Sequence, residues 1–239
     1  MGDSKRVIPL ESNPTIFNDI GYQLGLVPVL EFHDVLSLTD PDLLAFLPQP
    51  IYGIIMLFPI TEEYEQYRKK FDSTITYDND NTNVQWFKQT IGNGCGLYGL
   101  LHIMANLPQD LIIDNSIINK FLLSELKPGI SVEDTAKLVE KLEHAIQLDD
   151  NYGRQGQTEA PSSDVQTEFH FISFIKGKDN HLYELDGRRK GPVDLGESID
   201  GSNILNDSKL SEKIQFYINN TNEENKHNFA MIAIGPTLD

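Results

Sequence analysis

The order of the apolar segments along the chain is the feature that most constrains its fold. Residues 52–58 (YGIIMLF) form a continuous apolar run that is typical of a buried strand, and helical patterns flank it. Three further apolar segments come late in the chain, at 169–175, 182–185 and 229–234. Helices first and strands later predict an α+β fold with a central, mainly antiparallel sheet flanked by helices. No linker interrupts the pattern, so we expect a single domain over residues 1–239.

Composition and charge exclude several classes of protein. Of the 239 residues, 39% are hydrophobic and 23% are charged, which is typical of a globular protein and not of a disordered or membrane chain. The first residues contain no apolar signal core, so we expect a cytoplasmic location and no membrane partner. A net charge of −17 repels nucleic acid and attracts cationic partners, although solubility alone would also explain it.

The chain contains a single cysteine, Cys95, in a glycine-rich segment that leads into an apolar helical pattern. One cysteine excludes an intrachain disulfide and a multi-cysteine zinc site, and the six histidines show no metal-binding spacing, so we expect no metal. Backbone N–H groups at a helix N-terminus favour a thiolate and can donate to an oxyanion. Cys95 is therefore a candidate nucleophile or, alternatively, a buried structural cysteine.

His170 is the candidate base for such a nucleophile. It lies inside the apolar segment FHFISF, where an unbonded imidazole is costly. If residues 176–180 form a five-residue turn between two strands, residue i pairs with residue 356 − i, and His170 lies opposite Asp186. A slip of two residues would make them diagonal neighbours, and a slip of one would separate them onto opposite faces. The pair is either a base with its orienting acceptor or a His–Asp pair that only stabilises the sheet.

Several segments together resemble one enzyme family. They are QTIGNGCG at 89–96, GQTEAPSSD at 156–164, FHFISF at 169–174 and HLYELDGR at 181–188, with further matches in PLESNPTIFNDIGYQLGL, DLLAFLPQPIYGIIMLFPI and NFAMIAIGP. Their order and spacing resemble the ubiquitin carboxyl-terminal hydrolase family, the small papain-like cysteine deubiquitinases, and fungal members most of all. The resemblance covers nearly the whole chain.

The resemblance implies a role for each residue of the site. Cys95 would be the nucleophile, His170 the general base and then acid, and Asp186 the residue that orients His170. Gln89, six residues before the thiol, would donate its side-chain amide to the oxyanion. No metal or organic cofactor is implied. The substrate-binding candidates are Asn93, Gly94, Phe169, Gln157, Thr158 and Glu159.

The resemblance also implies features of the backbone. The family fold is papain-like and threads the backbone through itself, which makes it a rare exception to the rule against knots. Residues 149–167 match the crossover loop that passes over the active site and admits only small or flexible leaving groups. Gly94 departs from the family pattern, which usually has Ala or Ser at that position, but no functional group is lost.

The implied function is thiol-dependent hydrolysis after the C-terminal glycine of ubiquitin or a ubiquitin-like protein such as the cullin modifier. The implied partner has a basic C-terminal tail, which suits the charge of −17, and we expect a monomer. One alternative is a ubiquitin-binding scaffold of the same fold whose triad is misaligned. Another is a papain-like acyl-transfer enzyme such as a transglutaminase, which the GQTEAP match argues against.

Overall fold

The structure is a computed structural model, and it describes residues 5–77, 82–127, 129–156, 161–199 and 203–238. In this part of the chain, a six-stranded sheet forms the centre. The strands are β1 (Leu30–Asp34), β2 (Gly53–Pro59), β3 (Phe169–Lys176), β4 (His181–Leu185), β5 (Val193–Glu197) and β6 (Ala230–Pro236). They lie in the order β1-β6-β2-β3-β4-β5, and each neighbouring pair is antiparallel. The predicted α+β fold with a central antiparallel sheet is confirmed.

Helices cover both faces of this sheet. They are α1 (Pro14–Leu24), α2 (Pro41–Leu44), α3 (Glu62–Thr74), α4 (Cys95–Met104), α5 (Ile117–Lys120), α6 (Val132–Ile146), α7 (Leu148–Asn151) and α8 (Ser208–Asn219). Short 3₁₀ turns lie at Gln109–Leu111, Ile204–Asn206 and Glu223–Asn225, and a π-helical turn lies at Phe121–Glu125. No helix in the described ranges has the length and apolar character that crossing a bilayer requires.

Strand β2 is apolar along its whole length because both of its faces are buried. Ile55 belongs to a core cluster that includes residues of α1, α4 and α6. Ile54, Met56 and Phe58 point the other way and belong to a second cluster with residues of α3 and α8. Alternate side chains of a strand serve opposite faces, so a strand between two helical layers needs an uninterrupted apolar run.

Polar side chains determine where the main helices begin. Asn13, Thr61 and Ser131 each accept a hydrogen bond from a backbone N–H in the first turn of α1, α3 and α6, respectively. These bonds satisfy N–H groups that have no partner inside the helix. Each of these helices therefore begins directly after its capping residue.

The predicted register of the β3–β4 hairpin is wrong by two residues. Ser173 pairs with Leu185, so paired residue numbers add up to 358 and not to 356. The reason is that the turn is centred one residue later than expected: the Gly177 N–H donates to the His181 carbonyl at 2.8 Å, so residues 178–180 form the turn, and Asn180 adopts a left-handed conformation with φ 66°. Because the slip is even, His170 and Asp186 stay on the same face of the sheet.

One other expectation needs correction, one strand was missed, and two expectations stay predictions. The segment 149–167 is not a loop throughout, because helix α7 (Leu148–Asn151) includes its first three residues. Strand β5 was not expected from the sequence; it is short, and Gly196 within it has a φ of 98°. The single domain over 1–239 and the knotted backbone stay predictions.

A buried cluster of charges links helices α3 and α8, which form the second helical layer, to the sheet. Arg189 is fully buried, and its guanidinium donates to Glu184 on β4 (3.0 Å) and to Asp72 on α3 (2.8 Å). Lys213 on α8 lies 3.1 Å from the second carboxylate oxygen of Glu184. Buried charges of this kind are tolerated only when they are paired, so each element depends on the others.

Arg189→Met is expected to lower the free energy of unfolding by about 3 kcal/mol, because Glu184 and Asp72 would lose their shared cation. The control is Lys137→Met, which removes an exposed ion pair with Asp134. That variant is expected to unfold at an unchanged urea concentration. Urea denaturation followed by circular dichroism measures both, and equal effects of the two variants would contradict the role assigned to Arg189.

Candidate active site

Cys95 is the first residue of helix α4, as the sequence predicts. Gly94 is the N-cap of this helix. Because glycine has no side chain, it offers no side-chain acceptor to the first N–H groups of α4. Cys95 is buried, with 4% of its surface exposed. The partial positive charge of the helix N-terminus stabilises negative charge on the sulfur and on an adjacent oxyanion. The local structure therefore suits a nucleophilic thiolate.

His170 and Asp186 form a direct hydrogen bond in the interior of the protein. His170 is the second residue of β3, and its Nε2 lies 2.7 Å from Oδ1 of Asp186. Both side chains are buried. Engaging Nε2 in this way leaves Nδ1 as the ring nitrogen that can face another group.

The pair meets although its residues are diagonal in register. The last ladder pair joins Ser173 to Leu185, and Asp186 follows where the chain leaves β4. The Arg188 N–H donates to Asp186 Oδ1 at 2.8 Å, so the carboxylate caps the turn that it begins. This turn brings the carboxylate back towards His170.

The charges of the site shift both pKa values in opposite directions. Burial alone would lower the pKa of His170, but the charge and hydrogen bond of Asp186, together with interactions of the Cys95 side chain, raise it to about 9. Burial would raise the pKa of Asp186, but His170 and Arg189 hold it well below its usual range. The three predicted residues therefore lie together, with Asp186 ionised and His170 able to carry a proton.

Gln89 lies between the nucleophile and the Asp186 turn. Its backbone N–H donates to the carbonyl of Gly187 at 2.9 Å, and its Nε2 donates to the carbonyl of Ile91 at 3.2 Å. A Cβ on Gly187 would lie 2.8 Å from the Gln89 Cβ, so this close approach requires glycine. Gln89 is thus placed by the same turn that holds the carboxylate.

Asn93 contacts the end of the segment that was expected to cross the active site. Its backbone is left-handed, with φ 58°, a conformation that asparagine tolerates. Its Nδ2 donates to the carbonyls of Ser163 (3.0 Å) and Val165 (2.8 Å), and its Oδ1 accepts the N–H of Thr167 at 3.3 Å. The turn before Cys95 is therefore bonded directly to residues 163–167.

The remaining substrate-binding candidates are distributed unevenly. Gly94 is the N-cap beside Cys95, and a Cβ there would lie 3.1 Å from the Ile91 Cβ, which is tight. Phe169 opens β3 and lines a cavity of about 470 Å³ with the side chains of three acidic residues, Glu62, Glu63 and Glu168. Gln157, Thr158 and Glu159 lie outside the described residues.

Two residues at the site were missed by the sequence reasoning. The Tyr64 hydroxyl donates to Asp186 Oδ2 at 2.9 Å, and the Trp86 Nε1 donates to the Asp186 carbonyl at 3.0 Å. Both are far from Asp186 along the chain, and neither sits in a motif. In the sequence, only the helix start at Thr61 could have indicated that Tyr64 occupies the first turn of a helix.

Known proteins resemble this chain along nearly its whole length. The sequence profile described as "Ubiquitin carboxyl-terminal hydrolase, family 1" matches residues 7–219. Ubiquitin carboxyl-terminal hydrolase YUH1 of Saccharomyces cerevisiae is 36% identical over 242 residues, which cover 100% of this chain and 99% of the yeast protein. Ubiquitin carboxyl-terminal hydrolase isozyme L1 of Homo sapiens is 36% identical over 202 residues, or 84% of this chain and 88% of the human protein.

A solved structure has the same fold. The Trichinella spiralis UCH37 catalytic domain, bound to ubiquitin vinyl methyl ester, superposes with a TM-score of 0.71 and 20% sequence identity, covering 97% of this chain and 96% of that one. At that identity the likeness speaks for the fold alone. The profile and the full-length yeast relative confirm the resemblance noted in the sequence, including its fungal character. The chain belongs to ubiquitin carboxyl-terminal hydrolase family 1.

Proposed function

We propose that this protein is a thiol-dependent hydrolase that cleaves the amide, peptide or ester bond after the C-terminal glycine of ubiquitin. Membership of the family supports the substrate class. The observation that carries the chemistry is the 2.7 Å bond between His170 and Asp186, whose imidazole also interacts with Cys95 at the start of α4. A thiol, an imidazole and an orienting carboxylate are the parts that acyl transfer through a thioester requires.

In the first half of the reaction, the Cys95 thiolate attacks the carbonyl carbon of the terminal glycine. The backbone N–H of Cys95 and the side-chain amide of Gln89 donate to the oxyanion. An amide nitrogen carries two hydrogens, so the bond of Gln89 to the Ile91 carbonyl leaves one for this purpose. His170, protonated because its pKa is about 9, gives its proton to the departing amine.

In the second half, a water molecule attacks the thioester. The now neutral His170 takes a proton from this water and returns it to the departing sulfur, while Asp186 steadies the imidazolium that forms. The products are a free carboxylate and the regenerated thiol. This sequence needs no metal or organic cofactor.

The partner we propose is ubiquitin or a ubiquitin-like protein with a basic C-terminal tail. The net charge of −17 would speed the encounter with such a tail. Glu62, Glu63 and Glu168 are among the residues that line the cavity beside Phe169, one residue before His170, which supports binding of a basic tail on this side. Asn93, Gly94 and Phe169 are the described residues proposed to contact the tail. We further propose a cytoplasmic monomer that binds no nucleic acid.

The scaffold alternative gains no support from the geometry. It depends on a triad whose members are out of register, whereas His170 and Asp186 are already bonded. We propose that access is limited instead by residues 152–167, whose final part is hydrogen-bonded to Asn93 next to the nucleophile.

Cys95→Ala is expected to lower the release of a fluorogenic amine from the C-terminus of ubiquitin by at least about 10⁴-fold, because no other thiol is present. Ubiquitin binding, measured by calorimetry on the same variant, is expected to persist. Turnover that survives the substitution would rule out the proposed nucleophile. Tight binding by the unmodified protein without any turnover would favour the scaffold.

Asp186→Asn is expected to reduce kcat by roughly 10²–10⁴-fold, because His170 loses the negative charge that supports it as a general acid and base. Because Asp186 raises the pKa of His170 to about 9, kcat/KM of the unmodified protein is expected to fall above about pH 9, where the imidazolium loses its proton. Asparagine removes the charge, burial then lowers the pKa of His170, and this alkaline limb moves to lower pH.

The matched control is Asp194→Asn. Asp194 also bonds an imidazole, with His181 Nδ1 2.9 Å from Oδ2, but that pair is more exposed, and His181 begins β4 whereas Asp186 follows its other end. Its pH–rate profile is expected to match that of the unmodified protein. A profile of Asp186→Asn that is likewise unchanged would exclude the orienting role of Asp186.

Inserting Gly-Ser residues directly after Gly156, which lengthens the segment between Gly156 and Pro161, is expected to widen the range of leaving groups. A folded protein conjugate should then be cleaved faster relative to a small amide. The cost in stability should be below about 1 kcal/mol, since loop entropy grows slowly with length. The control is the same insertion beside Gly129, in the connection between α5 and α6. If the unmodified protein already cleaves bulky folded conjugates efficiently, the gating role is wrong.

A further inference from the structure

The carboxylate of Asp186 has an uneven set of hydrogen-bond partners. Oδ1 lies 2.7 Å from His170 Nε2 and also accepts the Arg188 N–H at 2.8 Å. Among the described residues, Oδ2 has one hydrogen-bond donor, the hydroxyl of Tyr64 at 2.9 Å. The orientation of the carboxylate therefore depends on Tyr64 at one oxygen and on two donors at the other.

Tyr64 is itself held firmly. It lies in the first turn of α3, where its N–H donates to the capping Thr61 Oγ1 at 3.2 Å, and 5% of its surface is exposed. Its ring packs edge-on against Phe58, with ring centroids 4.8 Å apart, and Phe58 in turn packs against the ring of His170 at 5.8 Å. A hydroxyl on a ring fixed in this way is a preorganised donor.

A competing charge lies close to the same oxygen. Arg189 Nε is 3.9 Å from Asp186 Oδ2, too far for a hydrogen bond but within the range of an ion pair. Arg189 is already bonded to Glu184 and Asp72, yet its charge still attracts Oδ2. Without a donor on Oδ2, the carboxylate would rotate towards Arg189 and away from His170.

We propose that Tyr64 is a positioning residue of the catalytic machinery, whose hydroxyl holds Asp186 in line with His170 against the pull of Arg189. This role rests on the proposed function of the triad. Tyr64 acts through Asp186 and does not touch the substrate. Catalysis therefore also depends on helix α3, although this helix contributes no nucleophile, base or acid.

The protonation state of Tyr64 fits this role. Burial, and next the negative charge of Asp186, raise the pKa of Tyr64 well above its ordinary value. The hydroxyl therefore stays protonated across the working range and can only donate to the carboxylate.

The first test is Tyr64→Phe, which removes the hydroxyl and keeps the ring. With a fluorogenic ubiquitin amide, kcat is expected to fall about tenfold, the usual scale for one hydrogen bond to a charged group, while KM stays unchanged. Tyr217→Phe is the matched control, because Tyr217 belongs to the same aromatic cluster and its hydroxyl donates to Glu184 at 2.9 Å. It is expected to lower the Tm but to leave kcat within about twofold.

A double-mutant cycle separates positioning from general destabilisation. In an Asp186→Ala background, Tyr64→Phe is expected to change kcat by less than about twofold, because the group through which it acts is gone. Replacing Tyr64 with 4-aminophenylalanine, which restores a donor at the ring, is expected to recover most of the lost kcat. This second variant also keeps the test valid if Tyr64→Phe folds poorly.

A measurement without ubiquitin distinguishes failure of this inference from failure of the proposed function. The rate at which iodoacetamide alkylates Cys95 near neutral pH reports on support of the thiolate by His170. It is expected to fall in Tyr64→Phe and not in Tyr217→Phe. Unchanged kcat and alkylation in Tyr64→Phe, or an equal loss of kcat in the Asp186→Ala background, would overturn the inference.

Discussion

The site depends on keeping the carboxylate of Asp186 ionised in a place that water does not reach. A buried carboxylate is stable only with partners, and here His170, the Arg188 N–H and Tyr64 provide them. The stabilisation is mutual, because the same negative charge keeps a proton on His170. In the proposed mechanism, the same contacts therefore serve both acid–base chemistry and the pairing of buried charges.

These partners come from distant parts of the chain. Helix α3 brings Tyr64, strand β3 brings His170, the turn after β4 brings Asp186, and helix α4 begins with Cys95. The central sheet makes this possible, because β2 and β3 lie side by side and carry α3 and the base to the same end. Arg189 then links that end to the second helical layer through Glu184 and Asp72.

Local patterns predicted the parts of the site better than their exact geometry. The glycine-rich segment before a helical apolar pattern predicted that Cys95 lies at a helix start. The free-energy cost of an unbonded imidazole inside an apolar strand indicated that His170 has a bonding partner. The even slip of the hairpin preserved the shared face of His170 and Asp186, although the turn is centred one residue later than expected. Tyr64 could not be predicted, because its contact is set by how a helix packs on a sheet. The roles of Gln89 and Asn93 came from family resemblance and stay predictions.

The two halves of the proposed site are built on different kinds of support. His170 is paired with Phe58 on β2, one of the two innermost strands, so its backbone position is set by the centre of the sheet. On the other side, the sulfur follows the turn of Asn93 and Gly94, and the Asn93 side chain makes three hydrogen bonds to residues 163–167. In the proposed reaction, the nucleophile is therefore positioned by side-chain contacts to a distant segment, whereas the base is positioned by backbone pairing within the sheet.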